Sequence, residues 1–314
     1  MRLGHLPSRQ TTLFVKLTLV PMIWGGMFIC GHIVAAEMPP ATGALWRYVI
    51  ASVALLSAHF RLQGALPRLS FRQALGLIVL GATGVAAYNL CFMVGMQTVS
   101  ASRAALIANL NPALTVLGAA CLFGEKLSRT RIAGAATALA GAAVVLAHGN
   151  PLSILSGQIS VADIIVFGCA LSWTAYTLIG KSVLQGLSPL SVTTYAALAG
   201  TALLAVAALL MPAPLAAGVL PPAASLSGWL ALLFLGVPGT AIAFVWFSQG
   251  VRELGPTRAA VFVNLTPVFA VIQAAILLHE RLEGSVVAGG MLVVAGVWLI
   301  NRGGPASSRP VGKP

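Results

Sequence analysis

Charged side chains are what this chain has least of. Asp, Glu, Lys and Arg make up 8% of 314 residues, against about 25% in a soluble domain, which is too little polar surface to clothe a water-facing molecule of this length. Carboxylates are scarcer still, with six Asp and Glu against eighteen Lys and Arg. All six (Glu37, Glu125, Asp163, Glu253, Glu280 and Glu283) fall at or near the ends of apolar runs, so no buried acid stands out as a proton relay. His32 and His279 also sit near run ends. The four cysteines show no C-x-x-C spacing, which removes the usual signs of a disulfide framework or a zinc site. G-x-S-x-G, H-E-x-x-H and G-x-x-x-x-G-K-[ST] are all missing, and with them the signatures of nucleophilic hydrolysis, metalloprotease chemistry and nucleotide hydrolysis. No catalytic set, metal site or cofactor is therefore expected.

What is present is apolar sequence: 58% hydrophobic residues and a mean hydropathy of +0.95. A membrane-spanning helix needs about 20 mostly apolar residues. Ten such runs are readable, near 13–36, 41–60, 74–96, 103–123, 131–148, 160–180, 189–211, 226–249, 257–279 and 285–301. The lipid bilayer is the expected surroundings. The basic balance, net +12, does not call for nucleic acid, because the charges are scattered over short connections and no soluble face gathers them. Basic residues before an apolar run ending in Val34-Ala35-Ala36 have the look of a leader peptide. The run is longer than a leader's apolar region, and the first span is expected to remain.

The runs are duplicated. Residues 75–149 and 230–304 align without a gap at an offset of 155 and match at about a third of positions. Gly95, Arg103, Asn109, Pro112, Glu125, Gly134 and Gly141 fall on Gly250, Arg258, Asn264, Pro267, Glu280, Gly289 and Gly296. Upstream, Trp24, Gly31 and Pro40 pair with Trp173, Gly180 and Pro189 at an offset of 149. Five spans per copy is an odd number, so the second copy must cross in the opposite sense. Fifteen Lys and Arg fall on one side of the resulting topology and two, Arg103 and Arg281, on the other, with Arg47 inside a span. By the positive-inside rule both termini are cytoplasmic. The expected fold is all-α and integral to the membrane: ten transmembrane helices as two inverted five-helix repeats, 13–148 and 160–302, with cytoplasmic tails at 1–12 and 303–314.

Trp24-Gly25, Trp46-Arg47-Tyr48, Ser102-Arg103-Ala104-Ala105 through Asn111-Pro112, and Phe123-Gly124-Glu125-Lys126-Leu127 resemble the EamA repeat. Thr257-Arg258-Ala259-Ala260 through Thr266-Pro267 and His279-Glu280-Arg281-Leu282 resemble it a second time. Two such repeats are similar to the drug/metabolite transporter superfamily, and the resemblance implies ten helices, residence in the inner (plasma) membrane and export of amino acids or other small metabolites. One departure stands out: Arg47 aligns with Ala196, so any role it has belongs to one half alone.

Several residues are candidates for contact with a small-molecule substrate, each with a plainer reading beside it. Arg47 is the one charge well inside a span, where insertion costs about 2.5–3.5 kcal/mol. It either faces a cavity and takes a substrate carboxylate in its guanidinium fork, or reaches outward, or pairs with Glu37. Trp24 and Trp173 lie too deep for an interfacial aromatic belt and line a cavity or pack between helices. Tyr88, Asn89, Tyr176 and Tyr195 supply cavity polarity or ordinary interhelical hydrogen bonds. Pro112 and Pro267 bend their helices as gating points or as static kinks, with Asn109 and Asn264 beside the path. Gly134, Gly141, Gly289 and Gly296 suit close packing of helices or a homodimer contact.

The leading expectation is a secondary transporter working by alternating access, in which substrate binds between inverted halves. The rivals are a polytopic membrane enzyme, or a channel or flippase for a hydrophobic or cationic compound. A reporter fused after Pro314 should read cytoplasmic; activity of a periplasmic reporter there would overturn the charge-based topology and the inversion with it.

Overall fold

The structure is a computed structural model describing residues 9–149, 160–183, 186–221 and 223–302. The tails 1–8 and 303–314 and most of the connection between the repeats lie outside the described residues. Among those residues there is no strand, and ten helices are long and apolar enough to cross a membrane: α1 (Thr11–Glu37), α2 (Pro40–Gln63), α3 (Phe71–Gly95), α4 (Ala101–Phe123), α5 (Arg129–Leu146), α6 (Val161–Gly180), α7 (Pro189–Leu210), α8 (Leu226–Leu254), α9 (Arg258–Leu277) and α10 (Gly284–Arg302). Lipid offers no hydrogen-bond partners, so each apolar run must satisfy its backbone internally as a helix. The chain is an all-α integral membrane protein.

Local signals set the helix ends. Ser70, Ser100, Ser128, Ser188 and Ser225 each accept a backbone N–H in the first turn of the helix they precede, and Pro40 and Pro189 occupy the first turn, where a missing N–H costs nothing. Gly64 and Gly124 follow α2 and α4 with φ of 78° and 65°, a left-handed stop that a Cβ would strain.

The inversion is written in contacts between repeat mates. Ser52 and Thr201, equivalent at the offset of 149, meet Oγ to Oγ1 at 2.9 Å between α2 and α7. One helix end further on, His59 of α2 meets Ser191 of α7 at 3.0 Å, so the mates run antiparallel. The same holds for α5 and α10. A Cβ on Gly134 would lie 2.7 Å from the Gly296 carbonyl oxygen, and one on Gly141 would lie 2.6 Å from that of Gly289. These two contacts are exchanged by the repeat offset of 155, which places a pseudo-twofold axis in the membrane plane. Around it α1 packs on α8 and α9, while its mate α6 packs on α3 and α4.

The four repeat glycines thus join α5 to α10 inside one chain, and a homodimer would need another face. Their pairing seals one flank of the bundle with backbone-close contact, a region also lined by Leu106, Ala138, Val145, Val293 and Val297. Gly141→Leu should force these helices apart and destabilise the protein by about 1–3 kcal/mol, the usual range for overpacking. Thermal unfolding in detergent checks this, and an unchanged midpoint would contradict the close approach.

Candidate functional site

Two kinds of irregularity break the helices, and both occur in mated positions. The first is a π-helical stretch, Gly81–Ala87 in α3 and Val237–Ile242 in α8. Such stretches widen the backbone spiral and redirect side chains, frequently at functional sites. The second is a break in α4 and α9: helix runs Ala101–Ala108 and resumes at Asn111, and runs Pro256–Val263 and resumes at Thr266. Pro112 and Pro267 therefore start the second half-helices, and the carbonyls four residues earlier, on Ala108 and Val263, lose their normal donor.

These irregular segments converge on a central cavity of about 120 Å³. Its walls come from α1 (Trp24, Met27, Phe28), α2 (Arg47, Tyr48), α3 (Tyr88, Phe92), α4 (Ala108, Asn109, Asn111), α6 (Trp173), α8 (Gly239, Thr240, Phe244) and α9 (Val263, Thr266). α5, α7 and α10 contribute nothing to this cavity. Ala108 and Val263 both line it, which is where freed backbone at membrane depth is tolerated.

Of the residues singled out from sequence, Trp24, Arg47, Tyr88, Asn109 and Trp173 are brought together here. Tyr176 lies in a small recess beside them, behind Trp173 and against Gly84. Asn89 is fully buried away from the cavity, donating to the Val85 carbonyl at 2.7 Å within the π-helical stretch. Tyr195 donates to the Pro67 carbonyl at 2.7 Å and packs with Leu77 and Leu80, a tie at the rim of the fold. Asn264 accepts from Asn301 of α10 at 3.1 Å and lies outside the cavity lining. The mated pair Asn109 and Asn264 thus diverges, because only Asn109 lines the cavity. Phe28, Phe92 and Phe244, also in the wall, had no sequence signal to separate them from other apolar span residues, and Tyr48 entered only as part of Trp46-Arg47-Tyr48.

The two tryptophans differ in the same way. Trp24 donates its indole N–H to the Gly239 carbonyl at 3.0 Å, in the π-helical stretch of α8. For Trp173 the matching carbonyl is that of Gly84, but the Tyr176 ring covers that glycine. The Trp173 N–H has no partner among the described residues, and its ring packs against Tyr88 and Phe244 at centroid distances of 5.7 and 6.2 Å.

Arg47 carries the only charge in the wall. It is 2% exposed, and its Nε and Nη1 atoms have no hydrogen-bond partner. Its guanidinium lies 5.5 Å from the ring centres of Tyr48 and Phe92, contacts worth up to about 2 kcal/mol when desolvated but no substitute for an anion. Pairing with Glu37 does not occur. That carboxylate accepts instead from the Ser225 backbone N–H at 2.8 Å, the Ser225 hydroxyl at 2.7 Å and the Ser227 hydroxyl at 3.3 Å.

A second buried arginine shows what this fold does when such a charge is structural. Arg103, 7% exposed, donates from Nη2 to Asp163 Oδ2 at 2.9 Å and to the Leu146 carbonyl at 3.1 Å, and its Nη1 reaches the His148 ring. His148 in turn bonds Glu283 at 3.1 Å, a contact that holds the Glu283 carboxyl below its ordinary pKa. Beside them Glu280 closes the start of α4, accepting from Ala101 N–H, Ser102 N–H and the Ser102 hydroxyl at 2.7, 3.2 and 2.6 Å. Arg103 has a carboxylate on Nη2 and leaves only its Nε unpartnered, whereas Arg47 has no carboxylate and is left facing a cavity.

Inverted five-helix repeats that close on a central cavity are a plan shared by many membrane transporters. The comparisons agree. Residues 14–147 and 160–302 match the EamA-like transporter family, and the chain belongs to that family. It is 32% identical over 288 residues to a protein named a probable terminal-alkyne amino-acid exporter from Streptantibioticus cattleyicolor, covering 91% of this chain and 92% of that one. It is 26% identical over 289 residues to the uncharacterized transporter YyaM of Bacillus subtilis (92% and 93% covered). To the uncharacterized inner membrane transporter YedA of Escherichia coli it is 29% identical over 297 residues (91% and 92%). A solved crystal structure shares the fold at a TM-score of 0.62 and 21% identity, over 92% of this chain and 98% of that one. The relatives are named as transporters, and the chain is a transporter, not an enzyme.

The two arginines should respond in opposite ways to removal of charge. Arg47→Met should raise the stability of the empty protein by on the order of 2 kcal/mol, because an uncompensated buried cation is replaced by an apolar side chain. Asp163→Ala should lower it by about 3–5 kcal/mol, because Arg103 loses its counter-charge. Melting in detergent or nanodiscs checks both, and a destabilised Arg47→Met would mean that Arg47 has a structural partner.

Proposed function

We propose that this protein is a secondary transporter that exports a small carboxylate-bearing metabolite, an amino acid or a close chemical relative, from the cytoplasm across the inner membrane by alternating access. The observation that carries the reading is Arg47: a guanidinium 2% exposed, without a carboxylate partner, in the wall of a central cavity. Burying a cation at this depth is costly, and a cation is kept there where an anion arrives to pair with it. An arginine presents a planar fork matched to a carboxylate. The name of the 32% identical relative, a probable terminal-alkyne amino-acid exporter, supports a substrate of this kind.

The remaining lining residues have roles that follow from their chemistry. Trp24, Phe28, Tyr88, Phe92, Trp173 and Phe244 would surround the substrate's apolar body, while the Trp173 N–H, Asn109 and the Thr266 hydroxyl, which is buried without a partner, offer polar contacts. The breaks before Pro112 and Pro267 sit at mated positions on either side of the cavity. Flexing at one break and then the other would open the cavity first to one face and then to the opposite face. The lopsided Lys and Arg tally supports cytoplasmic termini, and the name of the Escherichia coli relative supports the inner membrane. A cationic cargo is disfavoured by Arg47 itself.

Transport of radiolabelled carboxylates and amino acids into proteoliposomes tests the reading. Arg47→Ala should abolish transport while leaving the folded protein in the membrane, and Arg47→Lys should recover little, because an ammonium is a point charge and not a fork. Wild-type rates in Arg47→Lys at matched protein levels would contradict recognition by this residue.

A further inference from the structure

The charge balance of the cavity points to a narrower class of ligand, on the premise that Arg47 receives a carboxylate. We propose that, of the carboxylates that reading admits, the site is built for an organic monocarboxylate with a flat apolar body, and that an α-ammonium group weakens binding. A relative of an amino acid lacking the ammonium is then a better ligand than the amino acid itself.

The chain has only six carboxylates, and none of them lines the cavity. Asp163 is held by Arg103, Glu280 by the start of α4, Glu37 by Ser225 and Glu283 by His148. Glu125 and Glu253 lie beyond the cavity wall as well. A monocarboxylate entering the cavity neutralises Arg47 and leaves a pair of net charge zero. A zwitterion brings its own cation, so the complex keeps one positive charge at membrane depth, and the ammonium must also give up its water.

The substitutes for a counter-charge are all neutral. Aromatic faces attract ammonium but do not replace an anion. Those of Tyr48 and Phe92 already lie against the Arg47 guanidinium, and the other rings of the wall, Trp24 and Trp173 among them, carry no charge. Of the nearby carbonyls, that of Gly239 takes the Trp24 N–H and that of Ala105 takes the Asn109 amide. The freed carbonyls of Ala108 and Val263 are dipoles at the ends of half-helices. Each break also sets the start of the next half-helix beside that end, so the opposed helix dipoles offset one another. Arg47 is left to fix the sign of the site. The apolar body follows from the wall: besides Tyr48, six aromatic rings, Trp24, Phe28, Tyr88, Phe92, Trp173 and Phe244, surround the space beside the guanidinium.

The test is a competition series on one carbon skeleton with the purified full chain in lipid nanodiscs at neutral pH, using 3-phenylpropionate, phenylalanine and phenethylamine as probes. The expected order is 3-phenylpropionate tighter than phenylalanine by about tenfold or more, with phenethylamine not binding. Arg47→Gln should remove binding of 3-phenylpropionate. Phenylalanine binding as tightly as 3-phenylpropionate, or more tightly, would overturn the proposal and leave the carboxylate reading of Arg47 standing. Binding of neither carboxylate, or equal binding by Arg47→Gln, would overturn that underlying reading as well.

Discussion

A guanidinium without a counter-charge at membrane depth is the constraint around which the site is organised. Arg47 has no hydrogen-bond partner at Nε or Nη1, and every carboxylate in the chain lies elsewhere. The fold is able to satisfy a buried arginine, since Arg103 has Asp163, His148 and the Leu146 carbonyl around it. The contrast separates a charge that holds helices together from one held ready for something that comes and goes. A few kcal/mol of stability are given up to keep Arg47 unpaired, and the closely packed flank of α5 and α10 provides rigidity well away from the cavity.

Symmetry supplies the frame, and departures from symmetry supply the chemistry. Ser52 against Thr201, Gly134 against Gly296 and Gly141 against Gly289 tie mated helices antiparallel about an axis in the membrane plane. The π-helical stretches and the breaks before Pro112 and Pro267 repeat in both halves and open the backbone where the cavity forms. Within that frame Arg47 faces no second arginine, because its mate is Ala196. Trp24 is bonded where Trp173 is not, and Asn109 lines the cavity while Asn264 is tied to α10. A duplicated scaffold has thus diverged side chain by side chain into one asymmetric site.

The ten helices and their inversion were legible in the sequence because apolar run length and an ungapped repeat are long-range signals that no single residue can obscure. The first span came out within about two residues of 13–36, while α8 continues five residues past 249 to Leu254, because amphipathic sequence carries on beyond the apolar run. The π-helical stretches were not read, although Gly81 and Gly84 repeat as Gly236 and Gly239. A backbone widening of one residue leaves hydropathy unchanged. Among site candidates, charge and mated tryptophans located Arg47, Trp24 and Trp173 on the cavity, since both features are rare enough at mid-span to carry information. Polar residues such as Asn89 and Tyr195 were not separable from residues that line the cavity. The Asn89 amide N–H turns back on Val85 in its own helix, and the Tyr195 hydroxyl reaches Pro67, a contact set by how the helices turn toward each other.

The central claim is that Arg47 is completed by a ligand's carboxylate. The most direct measurement is a structure of the protein with a brominated aryl carboxylate, using the anomalous signal of bromine to fix the ligand's orientation. Carboxylate oxygens are expected within about 3 Å of the Arg47 guanidinium nitrogens, with bromine among the rings of Trp24, Trp173 and Phe244. A ligand seated in the cavity with its carboxylate turned away from Arg47, or an Arg47 that stays unpaired when ligand is bound, would contradict it.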